Sequence, residues 1–233
     1  MIFAANFKMN HTRRSTQEWL EEMQGRITES KTGDAFYCFP PATALCPSTE
    51  RITVGAQNAY PAAKGAYTGE IGLEQLEEFG IRTVLIGHSE RRELLEESQE
   101  FVAEKFRFFA EQGFEILYCI GEPLEVRERG EEAIFEYLWE EFVGIDTAYE
   151  KLIVAYEPIW AIGTGRSAGT EEIASVHAEL RRRIAGPLLY GGSVNPDNIA
   201  AITAIENVDG VLVGSASLKP ESFSALTERS RGA

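Results

Sequence analysis

Three side chains that perform acid–base chemistry follow short apolar runs at separate points of the chain. Glu157 ends the run "LIVAY" and precedes Pro158, His88 follows "TVLIG", and Lys8 follows "FAANF". A carboxylate base, a group that stabilises an oxyanion, and a nearby cation can together remove a proton next to a carbonyl. Each residue alone has an ordinary explanation: a strand-ending glutamate, a helix-capping histidine, a surface lysine. Their recurrence after three apolar runs favours a shared catalytic site.

Two glycine-rich segments near the C-terminus are typical of phosphate binding. They are "YGGSVNPDN" at 190–198 and "VGSASLKPESF" at 213–223. Small residues let backbone N–H groups approach a ligand, and the helix or helical turn expected after each segment favours negative charge at its N-terminus. Ordinary tight turns are the alternative. The pair predicts a phosphate site beside Lys8.

The charge and composition exclude several classes of protein. The 233 residues are 44% hydrophobic, and 22 basic against 37 acidic residues give a net charge of −15. So acidic a chain is a poor nucleic-acid binder, and no run approaches the roughly 20 apolar residues of a membrane span. The N-terminus does not resemble a signal peptide, and three cysteines without CxxC spacing argue against a disulfide framework or zinc site. We expect a soluble protein of a reducing compartment, in the cytoplasm.

Eight apolar runs alternate with helix-like stretches and predict the fold. Near-continuous apolar runs are typical of parallel strands covered on both faces. Eight strand–helix units in a chain of this length fit an α/β fold, a single-domain (β/α)8 TIM barrel over residues 1–233. A doubly wound sheet is the rival, but no glycine-rich fingerprint follows the first run. The runs lie at 3–8, 35–40, 53–58, 83–89, 115–121, 151–158, 187–192 and 208–215.

Local signals predict where helices begin and end. Thr170 is expected to be the N-cap of a helix with Ile173, Val176, Leu180 and Ile184 on its buried face. Left-handed residues after helices are expected at Gly80, Gly113 and Gly144. The third loop, "AYPAAKGAYTGEIG", is long and glycine-rich, which is typical of a functional or partner-binding loop.

Seven motifs, in order along nearly the whole chain, resemble the triosephosphate isomerase family. The segment "AYEPIWAIGTG" is the most specific. The resemblance implies interconversion of dihydroxyacetone phosphate and D-glyceraldehyde 3-phosphate through an enediol(ate), without metal or cofactor, in glycolysis and gluconeogenesis. The motifs are "NFKMN" (Asn6–Asn10), "GAYTGEI" (Gly65–Ile71), "IGHSERR" (Ile86–Arg92), "CIGE" (Cys119–Glu122), "AYEPIWAIGTG" (Ala155–Gly165), "YGGSVN" (Tyr190–Asn195) and "LVGSASL" (Leu212–Leu218).

The resemblance also implies roles for individual residues. Glu157 would be the base, and His88 the electrophile, kept neutral by the positive end of the helix expected after it. Lys8 would supply positive charge and Asn6 would contact substrate oxygens, with the Glu90 carboxylate near Lys8. Besides Asn6 and Lys8, the phosphate would be held by backbone groups of Gly163, Ser193, Gly214 and Ser215.

The stretch that follows Glu157 resembles the family's lid. Its closure would exclude water and protect the enediolate. Tyr190 and Ser193 match the residues that latch the closed lid. The lid would consist of Pro158, Ile159, Trp160, Ala161, Ile162, Gly163, Thr164 and Gly165.

The third loop matches the family's subunit contact. Thr68 and Glu70 would brace Asn6 and Arg91 across a two-fold interface, so a homodimer is expected, and the sequence leaves a tetramer open. The chain also departs from the family: Phe7 replaces the usual tryptophan, His11 a common glycine, and Ser215 the second glycine after the eighth strand. A positive φ at Ser215 would threaten phosphate binding.

Two other functions on the same fold fit the sequence less well than the isomerase. A sugar-phosphate aldolase acting through a Schiff base would need a lysine late in a strand, whereas Lys151 stands at the start of the sixth run. A non-catalytic binding protein on the same fold would be expected to lose Lys8, His88 or Glu157, and the chain keeps all three.

Overall fold

The sheet consists of parallel strands, one in each predicted apolar run. The computed structural model of this chain describes residues 1–27, 33–162 and 167–230. Within those ranges there are eight strands: β1 (Ile2–Asn6), β2 (Ala35–Phe39), β3 (Ile52–Val54), β4 (Thr83–Ile86), β5 (Glu115–Ile120), β6 (Leu152–Tyr156), β7 (Leu188–Tyr190) and β8 (Gly210–Val213).

The strands close into a barrel. Their order is β3-β2-β1-β8-β7-β6-β5-β4, so only the β3–β4 edges remain to be joined. Ala56 bridges them: its N–H donates to the carbonyl of Thr83 at 3.0 Å, and its carbonyl accepts from Leu85 at 2.8 Å. The predicted (β/α)8 barrel is confirmed, and the rival doubly wound sheet is wrong.

Helices follow or separate the strands along the chain. In the described ranges they are α1 (Arg13–Arg26), α2 (Leu73–Glu77), α3 (Ser89–Leu94), α4 (Gln99–Glu111), α5 (Leu124–Arg127), α6 (Glu131–Glu140), α7 (Thr170–Arg181), α8 (Ile199–Thr203) and α9 (Pro220–Arg229). Short 3₁₀ turns cover Ala42–Ala44, Ile159–Ala161 and Ser215–Ser217.

The strands are apolar throughout because both of their faces are buried. In β5, Leu117 and Cys119 belong to a cluster of alternate strand residues inside the barrel, whereas Ile116, Tyr118 and Ile120 join the larger cluster packed between strands and helices. This alternation is the period of two expected of a strand. A strand that faces two apolar layers cannot show a polar face, which explains the unbroken runs in the sequence.

The helix-end predictions are mostly confirmed. Gly80, Gly113 and Gly144 have φ of 66°, 72° and 82°, as predicted for left-handed residues after a helix. The N-cap prediction at Thr170 is wrong. Thr170 is the first helical residue and Gly169 is the N-cap, because the Glu172 carboxylate accepts the Gly169 N–H at 2.7 Å and satisfies that end of the helix.

No helix in the described ranges is long and apolar enough to cross a membrane. The three cysteines, Cys38, Cys46 and Cys119, are all free and buried.

His177 of α7 is a buried histidine that is not among the site residues predicted above. Its Nδ1–H donates to the carbonyl of Asn207 at 3.0 Å, and its Nε2 has no hydrogen-bond partner among the described residues. Burial lowers the pKa of His177 to about 4, opposed by the Asn207 carbonyl. An ordinary histidine in the unfolded chain therefore binds a proton at pH values where the folded ring does not.

We predict that His177 makes the protein less stable as the pH falls from about 6.5 towards 4. The unfolded state binds the extra proton over this window, so the free energy of unfolding decreases by on the order of 2 kcal/mol at pH 4.5. His177→Asn keeps a donor for the Asn207 carbonyl but cannot titrate. Urea unfolding from pH 7 to pH 4.5 should give a smaller decrease in the variant, and parallel curves for the two proteins would contradict the assignment.

Candidate active site

A cavity of about 630 Å³ opens at the carboxyl ends of the strands. Active sites of (β/α)8 barrels lie at this end. The cavity also exposes Asn10 and Asn195, which the sequence analysis placed in motifs without giving them a role. The predicted site residues that line it are Asn6, Lys8, His88, Glu157, Ser193, Gly214 and Ser215.

Glu157 follows β6 directly, and only 2% of it is exposed. Its Oε1 lies 3.2 Å from Nε2 of His88, and its Oε2 accepts the backbone N–H of Ser89 at 3.3 Å. Gly191 leaves the space beside it, because a Cβ at that position would lie 2.8 Å from Cγ of Glu157. The carboxylate therefore rests against the histidine in a narrow slot at the cavity floor.

His88 has a defined tautomer because it also caps α3. Its Nδ1 accepts the backbone N–H of Glu90 at 3.2 Å. A nitrogen that accepts a hydrogen bond carries no proton, so the ring proton is on Nε2, the atom next to Glu157. A doubly protonated ring would set an Nδ1–H against the Glu90 N–H. The geometry thus favours a neutral imidazole that donates from Nε2.

Lys8 is held in a strained conformation, with φ of 50°. Its N–H donates to Oδ1 of Asn6 at 3.0 Å, and its carbonyl accepts from Nε2 of Gln57 at 2.8 Å. Its Nζ lies 2.5 Å from Oε1 of Glu90. Strain of this kind persists only where the surroundings fix the backbone, and it is found mostly at functional sites. The sequence analysis missed Gln57, although it lies near the end of the third apolar run.

The turn after β8 begins with Gly214 and forms the 3₁₀ helix Ser215–Ser217 on the cavity wall. The first N–H groups of a helix carry partial positive charge. Ser215 is helical and is absent from the residues with positive φ. The expected threat to this position therefore does not arise, and serine fits the backbone there.

The first residues of the predicted lid contact the loop that follows β7. Pro158 leads into the 3₁₀ helix Ile159–Ala161, and the hydroxyl of Ser193 donates to the carbonyl of Ala161 at 2.5 Å. The indole N–H of Trp160 donates to Glu122 at 2.9 Å. Ile162 continues the segment into the cavity wall. The predicted phosphate and lid residues Gly163, Thr164 and Gly165 lie outside the described residues.

Tyr190, the second predicted latch residue, is buried beside the end of the lid. Burial raises the pKa of Tyr190 to about 12, and the backbone of Ala168 opposes this shift. The phenol thus stays protonated at neutral pH and lies close to the first residues that follow the lid.

A buried polar network that the sequence analysis missed lies behind Glu157. The Oε2 of Glu141 accepts the N–H of Gly121 at 2.8 Å, and its Oε1 lies 3.3 Å from Nε of Arg92. Burial raises the pKa of Glu141 to about 7, against the opposing effect of Arg92. Burial and the neighbouring Glu157 also raise the pKa of the Cys119 thiol, which keeps it uncharged. The network holds the end of β5 against Glu157.

Among the described residues, no group of three or more His, Cys, Asp or Glu side chains could hold a metal ion. The fold and the cavity together define a (β/α)8 barrel with a carboxylate, an imidazole and a lysine side chain around one small site. That is the class of a barrel enzyme working by acid–base proton transfer.

Comparison with known proteins identifies the family. A sequence profile described as triosephosphate isomerase matches residues 1–230. The triosephosphate isomerase of Sulfurovum sp. (strain NBC37-1) is 63% identical over 97% of this chain and 99% of its own length. That of Wolinella succinogenes is 54% identical over 98% and 100%, and that of Sulfurimonas denitrificans 50% over 98% and 95%. The chain belongs to the triosephosphate isomerase family.

Gly121 offers a test of the packing behind Glu157. A Cβ at this position would lie 1.7 Å from the carbonyl oxygen of Glu157, so we predict that Gly121→Ala lowers the free energy of unfolding by roughly 3 kcal/mol or more. In Gly25→Ala the new Cβ meets nothing within 4 Å in α1, so this control should gain roughly 0.5 to 1 kcal/mol. Equal thermal stability of the two variants would contradict the packing argument.

Proposed function

We propose that this protein interconverts dihydroxyacetone phosphate and D-glyceraldehyde 3-phosphate, the reaction of glycolysis and gluconeogenesis, without a cofactor. Family membership supports the reaction class. The observation that carries the proposal is the contact of 3.2 Å between Oε1 of Glu157 and Nε2 of His88, both of which line a cavity shared with Lys8. A base, a hydrogen-bond donor and a cation around one small cavity are the groups needed to form an enediolate.

Glu157 removes a proton from the carbon next to the carbonyl. His88 donates its Nε2–H to the carbonyl oxygen, so the electrons of the broken C–H bond form the carbon–carbon double bond of the enediol(ate). Glu157 then returns the proton to the neighbouring carbon, and His88 recovers one from the second oxygen. A neutral donor suits this cycle because the Nδ1 of His88 already accepts the Glu90 N–H and is not required to change its partner.

Lys8, Asn6 and several backbone groups bind the charged parts of the substrate. The Lys8 ammonium lies at the cavity and neutralises the phosphate and the developing oxyanion, and Glu90 keeps its side chain in place. Asn6 contacts the substrate oxygens. The backbone groups of Gly163, Ser193, Gly214 and Ser215 hold the phosphate, and closure of residues 158–165 excludes water from the reaction.

Replacing the base with a shorter one tests the proposal. Glu157→Asp withdraws the carboxylate by one methylene, and misplacement by about 1 Å costs about a hundredfold or more in turnover. Isomerisation of D-glyceraldehyde 3-phosphate should fall accordingly, while KM changes by no more than about threefold because substrate binding does not depend on the base.

Glu136→Asp is the matched control, because Glu136 is exposed on α6. Wild-type turnover in Glu157→Asp would rule out Glu157 as the base. An inactive wild-type protein that still binds 2-phosphoglycolate would instead support the binding-protein alternative.

We also propose that two chains form a homodimer through the third loop. Thr68 and Glu70 are exposed, as are Tyr67 in the same loop, 45% exposed, and Met9, 95% exposed after β1. Glu70 and Arg91 line one cleft of about 230 Å³ beside this loop. Large exposed apolar side chains beside a cleft are typical of a protein interface, and in a two-fold pair Thr68 and Glu70 would brace Asn6 and Arg91 of the other subunit.

The dimer predicts a species of about twice 25.9 kDa in sedimentation velocity. Thr68→Arg places a charge at the proposed contact and should shift the protein towards the single chain, with loss of turnover. Glu136→Gln makes the same change in net charge on α6 and should remain dimeric. A wild-type protein that sediments as a single chain would overturn the proposal, and a species of four chains would extend it.

The remaining proposals concern organisation and location. We propose that residues 1–233 form one catalytic domain, since one barrel accounts for every strand in the described ranges. A cytoplasmic location is supported by three free, buried cysteines and by the triose phosphate substrates proposed above.

A further inference from the structure

The side chain of His11 connects the loop after β1, called the first loop, to the loop after β8, called the eighth loop. Its Nε2 lies 3.0 Å from the carbonyl oxygen of Leu218, and its Nδ1 lies 3.1 Å from Oγ of Ser15 at the start of α1. A carbonyl oxygen can only accept, so Nε2 carries a proton and donates it. The ring is thus oriented by two polar contacts, one with the first turn of α1 and one across to the loop after β8.

Aromatic packing fixes the plane of the ring. Phe7 lies against His11 with ring centroids 4.2 Å apart and an interplanar angle of 32°. Trp19 meets the other side of Phe7 edge-on at 5.0 Å, and the indole N–H of Trp19 donates to the carbonyl of Ser217 at 2.9 Å. Two successive carbonyls of the eighth loop therefore accept ring N–H groups from the first βα unit of the barrel.

We call the turn at residues 214–218, which would hold the phosphate, the phosphate cradle. The carbonyls of Ser217 and Leu218 lie at its C-terminal end. They follow or end the 3₁₀ helix Ser215–Ser217, whose N-terminal side, with Gly214, lines the cavity. The peptide groups of so short a helix are nearly aligned, so fixing its carbonyls also fixes the direction of its N–H groups. The hydroxyl of Ser217 donates within the same turn, to the carbonyls of Val213 or Gly214, and stiffens it further.

Lys8 lies three residues before His11 in the same loop, with its strained backbone held by Asn6 and Gln57. The cation and the cradle belong to different βα units, and a phosphate between them must contact both. The hydrogen bond from His11 in the first loop to Leu218 in the eighth therefore sets the distance between these two sources of positive charge.

We propose that His11 is a positioning residue for phosphate binding. Its Nε2–H ties Leu218 to the first loop and so aims the cradle N–H groups at the position opposite Lys8. This inference rests on the proposed function, in which the cradle holds the substrate phosphate. His11 does not line the cavity, so it acts through Leu218 and not by touching the substrate.

The test compares two variants of the full-length protein. His11→Phe keeps a ring against Phe7 but removes the donor, and His11→Gln supplies a side-chain N–H in place of Nε2. We measure the Kd for 2-phosphoglycolate and for inorganic phosphate by calorimetry, and KM and kcat for D-glyceraldehyde 3-phosphate. Loss of one neutral hydrogen bond should raise Kd and KM about fivefold in His11→Phe, with kcat changed less than about twofold. His11→Gln should recover most of the affinity.

The outcomes separate this inference from the proposed function. Unchanged Kd and KM in His11→Phe, or equal loss in both variants, would overturn the role of the Nε2–H while leaving the isomerase intact. A wild-type protein that neither isomerises the substrate nor binds 2-phosphoglycolate would overturn both. If His11→Phe fails to fold, His11→Gly removes the ring and the donor together, and wild-type affinity in that variant would equally contradict the proposal.

Discussion

Closure of the barrel at Ala56 brings the predicted site residues together. In an open sheet with this strand order, β1 and β4 would be separated by five strand spacings, or about 24 Å. In the structure, Nζ of Lys8 after β1 lies 2.5 Å from Oε1 of Glu90 after β4. The two hydrogen bonds of Ala56 join β3 to β4 and turn a row of separated strand ends into a ring around one cavity. The local chemistry of each strand end depends on that closure.

Electrostatics at the site must act against the charge of the whole molecule. A net charge of −15 repels a phosphate at long range, and physiological salt screens that repulsion beyond about 8 Å. Attraction therefore has to come from groups within the cavity. Lys8 supplies a cation, and the first N–H groups of Ser215–Ser217 supply fixed partial charges. Fixed dipoles need no reorganisation when a ligand binds, so the direction of these N–H groups is important for attracting a phosphate.

The sequence predicted what depends on local pattern and missed what depends on distant contacts. Apolar runs located all the described strands, and the polar residues that follow them located His88 and Glu157, because strand ends share one rim. The left-handed φ of Lys8 was not predictable, since it is held by Gln57 from another loop. Glu141 stands in a helix-like stretch with several other glutamates, and the sequence does not distinguish it from them. Its burial follows from contacts with Arg92 and Gly121, which lie far away in the sequence.

Two of the departures from the family pattern, Ser215 and His11, place side chains where the backbone leaves room for them. Ser215 replaces a glycine without strain because the backbone there is helical, so the position needs an N–H and not the conformational freedom of glycine. Gly121 and Gly191 differ, since a Cβ at either would strike Glu157 itself. His11 is a gain: a side chain at this position reaches the carbonyl of Leu218, which a glycine could not do. At Gly121 and Gly191 the structure thus requires space beside Glu157, which excludes a side chain, whereas position 215 accepts one.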